Sequence, residues 1–444
     1  MGEACSRVSL PPVRLLIAPD KFKGSLTAAE AARAIAEGAQ RAASEAGIDI
    51  QIDECPVADG GEGLIDALAG GLGATRPVTS VHGPAGQQVS AEWASFESAV
   101  GLRRDRRARP AGYGFFRMPR SIWFHPLWSF FISAQWHSYR AALIESAAAV
   151  GLHLTHSPGR DPSLASTRGL GELIRSALDH ECSQVCVGLG GSATVDGGIG
   201  AAAALGARFP DESGDAVPPI GDSLARITAV DLDGIDRHLR RVELVALCDV
   251  SNPLLGPRGA ARVFGPQKGA TPEQVERLEA GLENLVRVCR EAGLPCDPDA
   301  PGAGAAGGLG FGLATFLGAE LRPGAPFILD LVKFRDRAAR ADLVITGEGR
   351  MDAQTAGGKA AAAVAIAAAE LGKPVIAIVG TTDRAPDELV YFLNDHGVPI
   401  EEIHPLVAPG KNPERAMRDA VQQLEQSSHR VVKAWLEGTA GASG

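Results

Sequence analysis

Several familiar signatures are missing from this chain, and each absence narrows the field. No CxxC pair and no metal-spaced His accompany the seven cysteines. Their odd number and scatter, with Cys182 and Cys186 the nearest pair, read as reduced thiols rather than a disulfide frame or zinc site. No segment is long and apolar enough to cross a bilayer. No charged stretch followed by an apolar one opens the chain as a secretory signal would, so a cytoplasmic location is expected. Basic charge is lacking too. A net charge of −10 argues against a nucleic-acid surface, and an anionic ligand must then be met by a few placed Lys and Arg. GxxxxGK[ST], the HRD and DFG pair, and GxSxG are all absent, which excludes a P-loop NTPase, a protein kinase and an α/β-hydrolase.

What is present is an alternating α/β pattern. At 444 residues the chain exceeds one ordinary core, so two domains are expected. "VRLLIAPD" reads as a buried strand. Thr27 and Glu30 form a capping box for a helix to about Ala46. "IDIQIDECPVADGGEG" gives a second strand, a glycine-acid turn and a helix from about Leu64. "RPVTSVHGPAGQQVSAEWASFE" suggests a hairpin. Further strands follow at "QVCVGLGG", "VELVALCDV", "ADLVITGEG" and "KPVIAIVGTT", and a last helix covers about 413–436 before a frayed tail, 439–444. The rhythm is that of parallel sheets, whose ligands sit at the carboxyl ends of the strands. Every glycine-acid cluster falls there.

Two stretches stand apart. Residues 98–139 hold three of the five tryptophans and an arginine cluster from Arg103 to Arg109, without helical or strand period. A surface insertion or a stretch foreign to the gene fits better than an RNA-binding or membrane-interfacial element. Residues 1–6, MGEACS, match the loose N-myristoylation pattern, with Cys5 available for palmitoylation. The pattern is short and often met by chance, so no membrane partner is expected from it.

Seven clusters offer chemistry. "APDKFKGSL" supplies Asp20, Lys21, Lys23, Gly24 and Ser25 before a helix start, where phosphate is welcome. "ADGGEG" supplies Asp59, Gly60, Gly61 and Glu62, either as acids for Mg²⁺ held through water or as a helix cap with Asp59 at its start. Gly188 to Ala193 satisfies GxGxxA, formally a dinucleotide fingerprint, containing Gly190, Gly191 and Ser192. Asp196 with Gly197 and Gly198 fits that fingerprint poorly, because its charge would face pyrophosphate. "CDVSNPLLGPRGA" gives Asp249 and Asn252, and "FGPQKGA" gives Lys268. "PGAGAAGGLGFG", with Gly302, Gly304, Gly307 and Gly308, reads as a backbone-amide cradle. "ITGEGRMDAQTAGGKA" adds Gly347, Glu348, Gly349, Asp352, Gln354 and Lys359. Carboxylates, lysines and glycine turns on one sheet face are the parts of Mg²⁺-assisted phosphoryl transfer.

In order, these motifs resemble those of the glycerate 2-kinase family. The resemblance runs from about Arg14 to Leu436 outside the aromatic-basic stretch. Val195 stands where the family often has Asn, and the family joins the hairpin to "ALIES" by a short turn. Membership implies ATP-dependent phosphorylation of D-glycerate, at O2; separately, a monomer or homodimer is expected. It also implies two α/β domains with the site in their cleft. A parallel Rossmann or flavodoxin-like domain would be built from 1–77 and 331–438, with 78–330 inserted as a second α/β domain.

On this reading Asp196 orients or deprotonates the substrate hydroxyl, a role for which Asp20 is the alternative. Lys21 and Lys23 neutralise phosphoryl oxygens or the substrate carboxylate. Asp59, Glu62, Asp249 and Glu348 are the candidates for Mg²⁺, directly or through water. Gly24, Ser25, Gly60, Gly61, the glycines from 190 to 198, Ser192, Asn252, Lys268, the 302–308 glycines, Gly347, Gly349, Asp352, Gln354 and Lys359 are assigned to substrate and nucleotide. Two other readings stay open: a family member inactivated by the insertion, and a nicotinamide-dependent oxidoreductase built on the GxGxxA turn.

Overall fold

The computed structural model describes residues 12–98, 139–155, 160–409, 411 and 414–442. The acylation pattern and residues 99–138 of the aromatic-basic stretch lie outside them. In chain order the strands are β1 (Val13–Pro19), β2 (Ile50–Glu54), β3 (Val78–His82), β4 (Gln88–Glu92), β5 (Ala94–Ser98), β6 (Tyr139–Glu145) and β7 (Gln184–Leu189). They continue with β8 (Glu243–Cys248), β9 (Glu320–Pro323), β10 (Leu343–Gly347), β11 (Arg350–Met351), β12 (Val375–Thr382) and β13 (Glu402–Val407).

N- and C-terminal strands share one sheet. β2 pairs with β1, β1 with β10 and β10 with β12, all parallel, and β12 carries β13 and the short β11. The middle of the chain builds a second, mixed sheet in the order β5-β6-β7-β8-β9, antiparallel only between β5 and β6. β3 and β4 form a separate antiparallel pair, as the period-two pattern led one to expect. Leu15, Leu16, Ile17 and Ala18 are almost wholly buried. Such an unbroken apolar run is what a strand covered on both faces requires.

Local chemistry sets the helices that flank the first sheet. Thr27 caps the helix Ala28–Ala46 in a reciprocal box with Glu30, and Gly47 closes it in the left-handed region. Its alanine face lets the final helix approach closely: a Cβ at Gly38 would come within 2.3 Å of the Glu425 carbonyl. Ser428 Oγ also donates to the Ile35 carbonyl at 2.6 Å. The C-terminal expectation needs correction. A short helix, Glu414–Arg418, precedes one running Ala420–Ala442, so most of the 439–444 tail is helical rather than frayed. At the root of the aromatic-basic stretch, Ser98 and Tyr139 are direct register partners. The sheet therefore closes normally across it.

Candidate active site

Residues from both sheets meet at the carboxyl ends of their parallel strands. Asp20 follows β1, its N–H donating to the Gly347 carbonyl at the end of β10. Glu348 follows β10, and Asp249 follows β8 of the other sheet. Between them runs the 58–63 loop. A Cβ at Gly60 would lie 2.9 Å from Gly324 Cα and 3.0 Å from Leu247 Cβ. A Cβ at Gly188 would lie 2.4 Å from the Gly60 carbonyl, and one at Gly190 3.0 Å from Gly61 Cα. Glycine is needed here because one sheet's loop lies directly on the other sheet's strand ends.

Charges in this place are crowded. Asp20 is 7% exposed; burial first, then repulsion from Asp59, pushes its carboxyl up to about 7, against the pull of Lys21 and Lys359. Glu348 is equally buried. Loss of solvent raises it to about 7, although Lys359 and a hydrogen bond from Thr355 Oγ1 (2.8 Å) favour the anion. Asp249 is open to water at its surface but surrounded by protein; partial desolvation and Asp59 push it up to about 6. Lys359 Nζ stands 3.9 Å from Glu348 and 4.0 Å from Asp352. Lys21 donates from Nζ to the Glu62 carbonyl. Asp20, Asp59, Asp249, Glu348, Asp352, Lys21 and Lys359 are thus brought together.

Other expected site residues lie elsewhere. Asp196 is fully buried. One carboxylate oxygen accepts from Thr167 N and Thr167 Oγ1, both at 2.7 Å, and from Gly200 N at 3.3 Å; the other accepts from Gly198 N at 3.0 Å. These donors, all from its own protein, hold the Asp196 carboxylate at the junction of two helix starts. Lys268 is also buried and donates to Ser192 Oγ (2.9 Å) and the Thr194 carbonyl (2.8 Å). Loss of solvent pushes its ammonium down to about 7.

The 302–308 glycines are not an open cradle. Cβ atoms at Gly302, Gly304 and Gly307 would strike Cys248 Sγ at 2.8 Å, the Pro253 carbonyl at 2.2 Å and the Thr194 carbonyl at 1.9 Å. Gly308 packs on Gly197, and Gly198 on Gly312. Gly347 and Gly349 likewise admit the Ile378 carbonyl and Lys23 N. Asn252 donates to the Arg258 carbonyl at 2.7 Å and braces its own loop.

Lys23, Gly24, Gly191, Glu62 and Gln354 are exposed, Ser25 is half-buried, and Gly61 is buried. Ser25 Oγ turns back to the Phe22 carbonyl. Nor does Asp59 cap the following helix, as the alternative reading had it: it accepts from Gly61 N at 3.1 Å. The cap comes from Glu145, which lies in the "ALIES" segment but was given no role there, at 2.8 Å from Ile65 N. Thr167, read from the sequence only as a helix start, and Thr355, which was not singled out, are further partners.

The GxGxxA turn is filled by its own protein at Gly188 and Gly190, and no helix starts before Ile199. A dinucleotide has no backbone to lie on there. Two sheets whose strand ends converge on carboxylates and lysines define instead an α/β enzyme of anionic, phosphorylated substrates. The sequence pattern of the Glycerate kinase family matches residues 15–102 and 124–436. A glycerate kinase of Halalkalibacterium halodurans is 38% identical over 427 residues, covering 96% of this chain and 99% of that one. The glycerate kinase of Bacillus subtilis is 39% identical over 421 residues, 95% and 97% of the two chains. Glycerate 2-kinase of Escherichia coli is 35% identical over 431 residues, 97% and 100%. The crystal structure of a putative glycerate kinase 2 from Salmonella typhimurium LT2 superimposes with a TM-score of 0.76 at 34% identity, covering 97% and 100%.

The chain belongs to the glycerate kinase family and is a phosphotransferase. Only residues 103–123 separate the two matched segments, a shorter gap than the 98–139 expected to be foreign to the family.

Proposed function

We propose that the protein transfers the γ-phosphoryl group of ATP to O2 of D-glycerate, giving 2-phosphoglycerate. The site is the cleft between a domain of 1–77 with 331–438 and an inserted domain of 78–330. The observation that carries this reading is the meeting of Asp20 and Glu348 from one sheet with Asp249 from the other, Asp59 lying between them. Asp20 takes the hydroxyl proton: it is a carboxylate poised near neutrality, which suits a general base. Its hydrogen bond from Lys21 N (2.7 Å) fixes its orientation. Lys21 and Lys359 offset the negative charge of the transferring group, and exposed Lys23 is free to meet the substrate carboxylate or a phosphate.

Asp59, Asp249 and Glu348 suit Mg²⁺. They are hard oxygen donors, and the Asp59 charge raises Asp249, a repulsion that a cation relieves. Among the described residues no three acidic, His or Cys side chains stand close enough to hold a metal alone. When bound, Mg²⁺ supplies charge neutralisation at the phosphates. Asp196 and Lys268 support the turn behind the site rather than touching substrate. Pairing of β5 with β6 up to Ser98 and Tyr139 supports an active enzyme over one inactivated by the insertion. ADP release with D-glycerate, ATP and Mg²⁺, followed by NMR of the product, tests the reading; absence of turnover or 3-phosphoglycerate as product would contradict it.

A further inference from the structure

We propose that Glu145 is a positioning residue for phosphoryl transfer, holding the 58–63 loop and Lys21 in place from the opposite sheet; this rests on the strand-end cluster being the transfer site. Glu145 closes β6 of the mixed sheet. Its Oε1 accepts from Ile65 N at 2.8 Å, and the Gly63 N–H is directed at the same carboxylate. The helix Leu64–Leu72 has no side-chain cap of its own, because Gly63 precedes it at φ 86°. Asp59 is committed to Gly61 N. The first turn of this helix therefore depends on a residue 80 positions away in sequence.

That first turn is where Lys21 is held. Lys21 Nζ donates to the Glu62 carbonyl. A Cβ at Gly63 would lie 3.2 Å from Lys21 Cδ, so the stem of the lysine rests on the glycine. Lys21 in turn faces Asp20 and Asp249. A continuous path runs from β6 through Glu145 and the helix start to the lysine beside the candidate base. Release of the cap frees two backbone donors and lets the loop drift, and a displacement of about 1 Å at a reacting centre costs roughly 10²-fold in rate.

The test compares Glu145→Ala and Glu145→Gln with Thr271→Ala, which removes a capping box from the distant helix Pro272–Glu291. Steady-state kinetics are run on folded enzyme well below each variant's Tm, with amide exchange of residues 58–66 measured alongside. Glu145→Ala is expected to lower kcat about 10- to 100-fold with KM changed far less, and to speed exchange at 58–66. Glu145→Gln keeps an acceptor oxygen and should restore kcat to within about three-fold. Thr271→Ala should lose stability but keep kcat. Unchanged kcat and exchange in Glu145→Ala would overturn the inference, and so would an equal loss in Glu145→Gln. Exchange needs no turnover, so an inactive wild type would defeat the functional reading while this readout still decides the positioning role.

Discussion

Thr167 gives both its backbone N–H and its hydroxyl to one oxygen of Asp196, each at 2.7 Å. The same hydroxyl accepts from Ala201 N at 2.9 Å. Two helix starts, at Arg168 and at Ile199, are thereby tied to one buried carboxylate. Removing it strands several buried donors, a loss of about 3–5 kcal/mol. Asp196→Ala should thus lower Tm by several degrees or fail to fold. Thermal melts beside kinetics distinguish this from a catalytic role, in which kcat would collapse while Tm held.

Asp20 carries the opposite expectation. A base must be unprotonated to work, and burial with Asp59 raises this carboxyl from 3.8 to about 7. kcat/KM should fall about tenfold per unit as pH drops below about 7, and this limb should vanish in Asp20→Asn.

Stability gives an independent reading of the same groups. Burial raises the Asp20 and Glu348 carboxyls in the fold to about 7, above the ordinary carboxylate range. Their contribution is fully present below about pH 4 and lost as pH rises through about 7. Tm of the ligand-free protein should carry a component that declines from pH 4 to 8. Comparing wild type with the Asp20→Asn, Glu348→Gln double variant isolates it.

Gly307 separates cradle from packing. Its φ of +76° and the Thr194 carbonyl, 1.9 Å from a built Cβ, leave no place for a side chain. Gly307→Ala should cost about 3 kcal/mol. A melt showing native stability with weakened ATP binding would restore the ligand-cradle role.

The root of the aromatic-basic stretch allows a direct excision. Because Ser98 and Tyr139 face each other in an antiparallel pair, Asn-Gly in place of residues 99–138 can close the hairpin. The shortened protein should keep kcat within about three-fold. Loss of activity with an intact fold would give the stretch a function.

Strands, caps and the converging motifs were legible because their causes are local. The Thr27–Glu30 box is written at a spacing of three, and the apolar run of β1 announces burial on both faces. The meaning of the glycines was not legible. Whether the space beside Gly307 holds a phosphate or the Thr194 carbonyl depends on residues more than a hundred positions away. For the same reason Asp196 looked reactive: a DGG turn reads alike whether open or sealed by Thr167. The role of Glu145, inside "ALIES", was not legible because its partner, Ile65, belongs to a helix whose own cap position is glycine. The final helix outran its composition, continuing through residues as helix-poor as Gly438 and Thr439 to Ala442.

The most direct measurement is kcat for ADP formation from ATP–Mg²⁺ and D-glycerate, wild type against Asp20→Asn, with Tm recorded for both. Asp20→Asn is expected to lose about 10²- to 10⁴-fold in kcat, with Tm no lower than in wild type, since an uncharged side chain relieves repulsion from Asp59. Turnover near the wild-type rate in Asp20→Asn would contradict it.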